Sequence, residues 1–367
     1  MPVFAAEELE QLAHALFQSA GGTTDEAAIV SRHLVEANLA GHDSHGVLRI
    51  PQYLRATQSG ELKVGAKMTV GSDTPTTAVV DGGRGFGQMA GYQAMRLAIQ
   101  KARQHGVSAV ASRNSYHTGR IASYPLMAAS EQLVAIVMVN AGGGGQSVAP
   151  FGGLSRRLAT NPVAIALPSG GEFPILLDIA TSVAPEGKVR DCHLKEKPVP
   201  AGWIIDAQGR PSTNPKDFYD TPGGALLPLG AAAGYKGFGL AFMIDILAGA
   251  LSGAGCCRPE VLESRDGTLM IVIDIRRFLP LETFTQHVRT LVEHVKSCPL
   301  APGFSDILVP GELEFREQQR RRREGVQVDA VTWQEIGVWA KTLGVPLGET
   351  RPIDPSPPLH GSLSQAV

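Results

Sequence analysis

The chain has 367 residues, of which 43% are hydrophobic and 19% charged, and its net charge is -2. That length exceeds what one core usually serves, so two domains are expected. The near-neutral charge gives no reason to expect a nucleic-acid or membrane partner. Cys192, Cys256, Cys257 and Cys298 fall at no metal-binding spacing, so no metal is expected, and reduced thiols in a cytoplasmic protein are the reading. Residues 1–16 carry Glu7, Glu8 and Glu10 without a basic start, which does not read as a signal peptide.

In chain order, residues 6–60 read as helical. Apolar positions 9, 12, 13, 16 and 17 keep the helical period. Thr23-Thr24-Asp25-Glu26 resembles a helix start, 27–40 continues the pattern, and Pro51 opens or breaks the next element. Strands are expected at 76–81, 107–112, 134–140, 159–167, 175–179 and 269–275. Helices are expected at 89–105, 122–131, 236–251 and 281–296. Residues 142–145 form a glycine loop, and 198–228, rich in Pro, Gly, Asp and Thr, read as surface loop. The apolar run at 239–251 contains Asp245, is too short to span a bilayer, and reads as a buried helix. The arginine run at 316–323 is interleaved with acids and reads as a solvated helix face rather than a phosphate patch. The tail at 352–367 reads as extended or partly disordered. The alternation from 76 to 300 argues α/β, with the flanking helical segments forming a second, discontinuous domain.

The most informative stretch is 41–53. Ser44 and His45 place a hydroxyl beside an imidazole, which suits proton transfer. Arg49 can clamp a carboxylate, and Tyr53, four residues on, shares its helix face. The set suits a small carboxylic acid undergoing acid–base chemistry at the neighbouring carbon. The glycine run at 82–87 lies between strand and helix but lacks the Rossmann spacing and the acid about twenty residues on, so it reads as a structural turn. His117, beside Asn114, Gly119 and Arg120, is a second acid–base group, a cofactor contact or a satisfied loop histidine. Thr160-Asn161 either bonds a substrate or makes a turn. Asp178 and Thr181 end a strand, as ligand contacts or as helix caps. Lys236 is either a phosphate or carboxylate partner or a surface lysine.

Together, segments 41–53, 81–88, 114–121, 148–153, 160–162, 178–188, 236–240 and 310–312 resemble the malate/L-lactate dehydrogenase family with its non-Rossmann nicotinamide-binding fold, nearest to the hydroxycarboxylate dehydrogenase B branch. The resemblance implies a nicotinamide-binding sheet-and-helix domain at 76–285. A helical domain would combine 1–75 with 286–350, leaving a tail at 351–367. It implies NAD or NADP, a 2-hydroxy or 2-oxo acid substrate and a homodimer. It assigns His45, with Ser44 beside it, as the acid–base group. His117 is a competing candidate that we favour less. Arg49, Tyr53 and Thr160 become substrate ligands. Cofactor contacts fall on His45, Gly119, Arg120, Ile121, Leu177, Asp178, Ile179, Lys236, Pro310, Gly311 and Glu312.

The chain departs from the family pattern at three places. Tyr235 stands where the family often has histidine, Asp274 and Ile275 replace a frequent Asn-Pro pair, and Lys188 replaces the aspartate of cyclic-imine reductases. A lysine cannot orient an imidazolium, which lowers the case for a cyclic imino acid reductase. The changes at Tyr235 and Asp274 are the clues to a non-catalytic nicotinamide sensor.

Overall fold

The computed structural model describes residues 2–141, 145–259 and 265–347. The calls made for residues 142–144 and for the tail lie outside the described residues. Three helices open the chain: α1 (Ala6–Ser19), α2 (Thr24–Leu39) and α3 (Ile50–Gln58). Thr23 starts α2 with a reciprocal cap. Its hydroxyl accepts from the Glu26 amide while the Glu26 carboxylate accepts from the Thr23 amide. Pro51 lies in the first turn of α3, where its missing N–H costs nothing, so it opens the element rather than breaking it.

A seven-stranded sheet follows, built from β1 (Thr69–Asp73), β2 (Thr77–Asp81), β3 (Val107–Ser115), β4 (Val134–Asn140), β5 (Val163–Leu167), β6 (Ile175–Ile179) and β7 (Asp266–Ile273), in the order β1-β2-β3-β7-β4-β5-β6. Only β2 and β3 run parallel, and every other neighbouring pair is antiparallel. A doubly wound dinucleotide fold needs a parallel sheet. The fold is therefore mixed α/β without a Rossmann topology. The remaining helices of eight residues or more among the described residues are α4 (Gly87–His105), α5 (Ser123–Ser130), α6 (Glu186–Leu194), α7 (Gly234–Ile244), α8 (Leu281–Lys296), α9 (Glu312–Glu324) and α10 (Ala330–Leu343).

Two large cores organise these elements. One joins the two ends of the chain: Leu9, Phe17, Leu34 and Tyr53 pack with Val326 and Ile336. Val3–Phe4 also pairs antiparallel with Val326–Gln327. The other lies between the sheet and α4–α5, around Met95, Val110, Tyr124, Val137 and Met270.

Two readings from sequence need correction. Residues 198–228 are not simply surface loop. They contribute a three-stranded sheet of two-residue strands, and Ile204, Phe218 and Leu226 are buried with Val148 and Val189 of α6. The apolar helix is not buried. It begins as α7, continues as a π-helical stretch at Asp245–Ala250, and leaves Leu240, Phe242, Met243 and Leu251 exposed. Among the described residues, Ala231–Ala250 is the one helical stretch long and apolar enough to cross a membrane by length and composition.

Candidate active site

Between α2 and α3 the chain makes two single 3-10 turns, Asp43–His45 and Val47–Arg49. They set Ser44, His45 and Arg49 just ahead of Tyr53 on α3. The second wall is the segment after β3, which carries His117. Gly87, at the start of α4, lets these walls meet. A Cβ there would lie 2.2 Å from the Tyr116 carbonyl oxygen, closer than any side chain tolerates. The glycine run at 82–87 thus serves close packing behind His117, as the structural reading anticipated.

Five of the residues singled out converge here. Ser44 Oγ is 3.0 Å from His45 Nδ1. The His45 and His117 rings stack with centroids 5.5 Å apart. Tyr53 is fully buried, and its oxygen lies 2.7 Å from His117 Nδ1 and accepts from Gln88 Nε2 at 2.7 Å. With Gln88 donating to that oxygen, the hydroxyl proton points at Nδ1, which assigns the His117 proton to Nε2. Arg49 donates from Nε to the Ser44 carbonyl at 2.7 Å and from Nη1 to Gln52 Oε1 at 2.6 Å. Among the described residues no protein acceptor meets Nη2. A carboxylate can therefore approach end-on, whereas the side-on fork through Nε is already taken.

Both histidines are half-buried as residues and sit in dense protein. Burial, reinforced by the Arg49 charge, pushes His45 down to about 3 and holds His117 well below the usual range. The near-neutral value that the imidazole alone suggests therefore does not apply, and His45 is neutral at pH 7. Burial raises the Tyr53 phenol, so it stays protonated.

A cavity of about 290 Å³ is lined in part by Glu36, Arg120, Ser123, Leu176, Gly311 and Glu314, and by none of the five residues of the histidine group. Two of the stretches that the resemblance assigns to the cofactor line it, through Arg120 and Gly311, and Leu176 stands next to the third. Arg120 lies 3.9 Å from Asp178, and the Leu176 amide donates to the Pro310 carbonyl. Arg120 is 5% exposed, and neither its Nε nor the Ser123 hydroxyl has a hydrogen-bond partner. Unmet buried donors at an open cavity fit an anionic group such as a cofactor phosphate. Gly119 has a positive φ of 76°, and a Cβ there would strike His33. Glu312 caps its own turn, accepting from Lys296, Arg316 and the Val309 amide.

The other predicted residues lie elsewhere. Lys236 is exposed beside the Tyr235 ring. Thr160 is half-buried, its carbonyl accepting from Thr181, and no hydrogen bond joins it to the histidines among the described residues. Lys188 follows Gly187, whose added Cβ would lie 3.2 Å from Ser44. Lys188 itself is exposed. Asp274 accepts from the Arg276 amide and caps a short turn, which gives that change a structural role.

Sequence reasoning missed Gln52, Gln88 and Asp266. Asp266 is buried and accepts from both the amide and the hydroxyl of Thr118, beside His117. Burial raises its carboxyl to about 6. Gln52, three residues after Arg49, was findable from helical spacing. Gln88 and Asp266 carry no local signal, because only the fold brings them to Tyr53 and Thr118.

This fold and this site define a dehydrogenase of 2-hydroxy acids. The sequence profile of the malate/L-lactate dehydrogenase family matches residues 4–337, and the chain belongs to that family. It is 38% identical to hydroxycarboxylate dehydrogenase B of Escherichia coli over 94% of this chain and 95% of that protein. The solved structure of a putative malate/lactate dehydrogenase from E. coli superposes with a TM-score of 0.88 at 37% identity, covering 94% of this chain and 96% of that one. A Δ1-piperideine-2-carboxylate reductase from Pseudomonas syringae superposes at 0.80 with 29% identity, covering 93% and 100% respectively. Members of the family use nicotinamide cofactors.

Proposed function

We propose that the protein interconverts a 2-hydroxy acid and the corresponding 2-oxo acid, with His45 handling the proton and Arg49 holding the carboxylate. The observation that carries this reading is the anchored guanidinium of Arg49, with Nη2 unmet, beside the Ser44–His45 pair. When bound, the nicotinamide supplies or accepts the hydride at C2. In oxidation the hydroxyl proton passes to His45. The ring suits that step when Nδ1–H donates to Ser44 and leaves Nε2 as acceptor. In reduction the same proton returns, so one proton is consumed for each 2-oxo acid reduced. His117 carries its proton on Nε2 and acts as a donor to the substrate oxygen. Tyr53, wholly buried, acts through His117 rather than on the substrate directly, a change from its reading as a ligand. Thr160 remains a candidate for the far side of the substrate.

The cofactor, NAD or NADP, would be held by Gly119, Arg120 and Ile121, by Leu177, Asp178 and Ile179, by Pro310–Glu312, and by Lys236. Arg120 and Ser123 offer their unmet donors to its phosphates. In this reading the nicotinamide would sit between a sheet domain and a helical domain built from both flanking segments; the boundaries expected at 75 and 285 need moving, because Thr69–Asp73 is a strand of the sheet and Leu281–Lys296 is one helix. Absorbance assays of NADH and NADPH with a panel of 2-oxo acids test the reading, and consumption of one cofactor is the expected result. Consumption only with cyclic imino acids would shift the assignment to imine reduction, which the P. syringae neighbour favours and Lys188 disfavours. Binding without consumption would favour a sensor.

The exposed apolar face of α7 fits a homodimer interface, and the protein is read as cytoplasmic. Asp245, deep in the same helical stretch, accepts from Asn161 and from the Cys257 amide, which ties that turn to the protein interior. Phe242 and Met243 remain half-exposed, more apolar surface than a solitary chain usually shows. Light scattering should give a two-chain mass, and Leu240→Glu with Met243→Glu should halve it. A one-chain wild type would remove the dimer.

A further inference from the structure

The arginine run at 316–323 largely behaves as a solvated face. Arg320 pairs with Glu317 and Glu324 at the surface, where such pairs contribute little, and Arg322 and Arg323 are exposed. Arg321 departs from this pattern, with a side chain only 15% exposed. Its guanidinium reaches across the cleft to the 3-10 turn that carries Ser44 and His45. Nη1 and Nη2 each donate to one carboxylate oxygen of Asp43, Nη1 also donates to the Asn38 carbonyl at 2.8 Å, and Nε donates to Glu317.

Asp43 is held a second time. Its Oδ1 accepts from Asn38 Nδ2 at 2.6 Å, while Asn38 Oδ1 accepts from the Val47 amide at 2.8 Å. Ser44 and His45 thus lie between two tethered points. The intervening Gly46 presses so closely on Asn38 that a Cβ there would come within 2.2 Å of Oδ1. A two-pronged ion pair fixes orientation as well as position, which a lysine in its place could not do.

We propose that Arg321 is a positioning residue, a clamp from the C-terminal helix α9 that holds the Ser44–His45 turn in register with Arg49 and His117. The inference rests on the role given to His45 under Proposed function. Its energetic logic is that a displacement of about 1 Å at a reacting group costs on the order of a hundredfold in rate. The clamp also keeps the turn closed over the His45 ring, whose titratable and charged neighbours are Arg49, His42, His33 and Arg120, with His117 stacked against it.

Two measurements on the full chain test it. Arg321→Ala should lower kcat roughly 10- to 100-fold. Arg321→Lys, which keeps the charge but not the fork, should recover only part of that loss, and the exposed Arg323→Ala should match wild type. Separately, the His45 titration is followed by NMR of histidine-labelled protein, assigned with His45→Gln. Without the clamp, water reaches the ring and the midpoint should rise by about a unit or more toward the ordinary 6.5. Unfolded chain gives its own histidine resonances titrating near 6.5, so a mere loss of folded protein would lower turnover and leave the midpoint of the native His45 resonance in place. Unchanged turnover in Arg321→Ala, or an unmoved midpoint, overturns the proposal. If wild type turns over no 2-oxo or 2-hydroxy acid, the functional reading falls, and the NMR comparison still decides whether the clamp exists.

Discussion

His45→Ala is expected to lower turnover of a 2-hydroxy acid by about a hundred- to ten-thousandfold, the range that a positioned proton-transfer group supplies. His117→Ala should cost less, because the Gln88–Tyr53 chain leaves that ring with a proton to donate rather than a lone pair to offer. Steady-state rates of the two variants measure the difference. A His45 variant that keeps wild-type turnover would move the acid–base role to His117. The pH dependence carries the same argument. With His45 held down to about 3 by burial and by Arg49, the base is already neutral across the neutral range. In oxidation kcat/KM should therefore stay flat from pH 8 down to about 5, with no limb near 6.5. In reduction, where the proton must first load onto that ring, kcat/KM should fall about tenfold per pH unit as pH rises. A limb near 6.5 in the oxidation profile would show that the ring is solvated in the working enzyme.

Arg49→Ala should be nearly as damaging. Two charge-assisted hydrogen bonds to a carboxylate, at roughly 1.5–3 kcal/mol each, amount to about a thousandfold in kcat/KM. The loss should appear for every 2-oxo acid alike, because the clamp reads the shared carboxylate and not the side chain. Arg49→Lys should fail to restore it. A lysine carries its three donors on one nitrogen, so it cannot span the Ser44 carbonyl and the Gln52 side chain and still present a pair of donors to a carboxylate. Removing the guanidinium also takes a positive charge away from His45, so its midpoint should rise, a direction that NMR can read without substrate. Unchanged kcat/KM for short 2-oxo acids in Arg49→Ala would remove Arg49 as the carboxylate holder.

Much of the architecture was legible where local patterning decides structure. β4, β6 and α8 fall where apolar runs and their punctuation predicted, and Thr23 caps α2 as its neighbours implied. β1 escaped because it is exposed at every position and contains Gly71, so it shows no alternation to read. The apolar helix was misread for a different reason. Hydropathy reports what a surface prefers but not whether another element covers it, and among the described residues none covers the face of Leu240, Phe242 and Met243. In the active site, the cluster from Ser44 to Tyr53 was visible because helical spacing brings close neighbours together. The links from Tyr53 to His117, from Asp266 to Thr118 and from Arg321 to Asp43 span tens to hundreds of positions. Nothing local marks such partners. The low His45 value was hidden for the same reason, since desolvation comes from the packed environment and is not a property of the residue.

The strand pairing of Val3–Phe4 with Val326–Gln327, and the core shared by α1 and α10, have a bearing on synthesis. The reactive turn follows α2, yet Arg321, which supports it through Asp43, is made 278 residues later. Until then the emerging polypeptide holds its imidazoles without their final seat. Competence should therefore arrive abruptly, with closure of the ring formed by the two ends, rather than accumulate domain by domain.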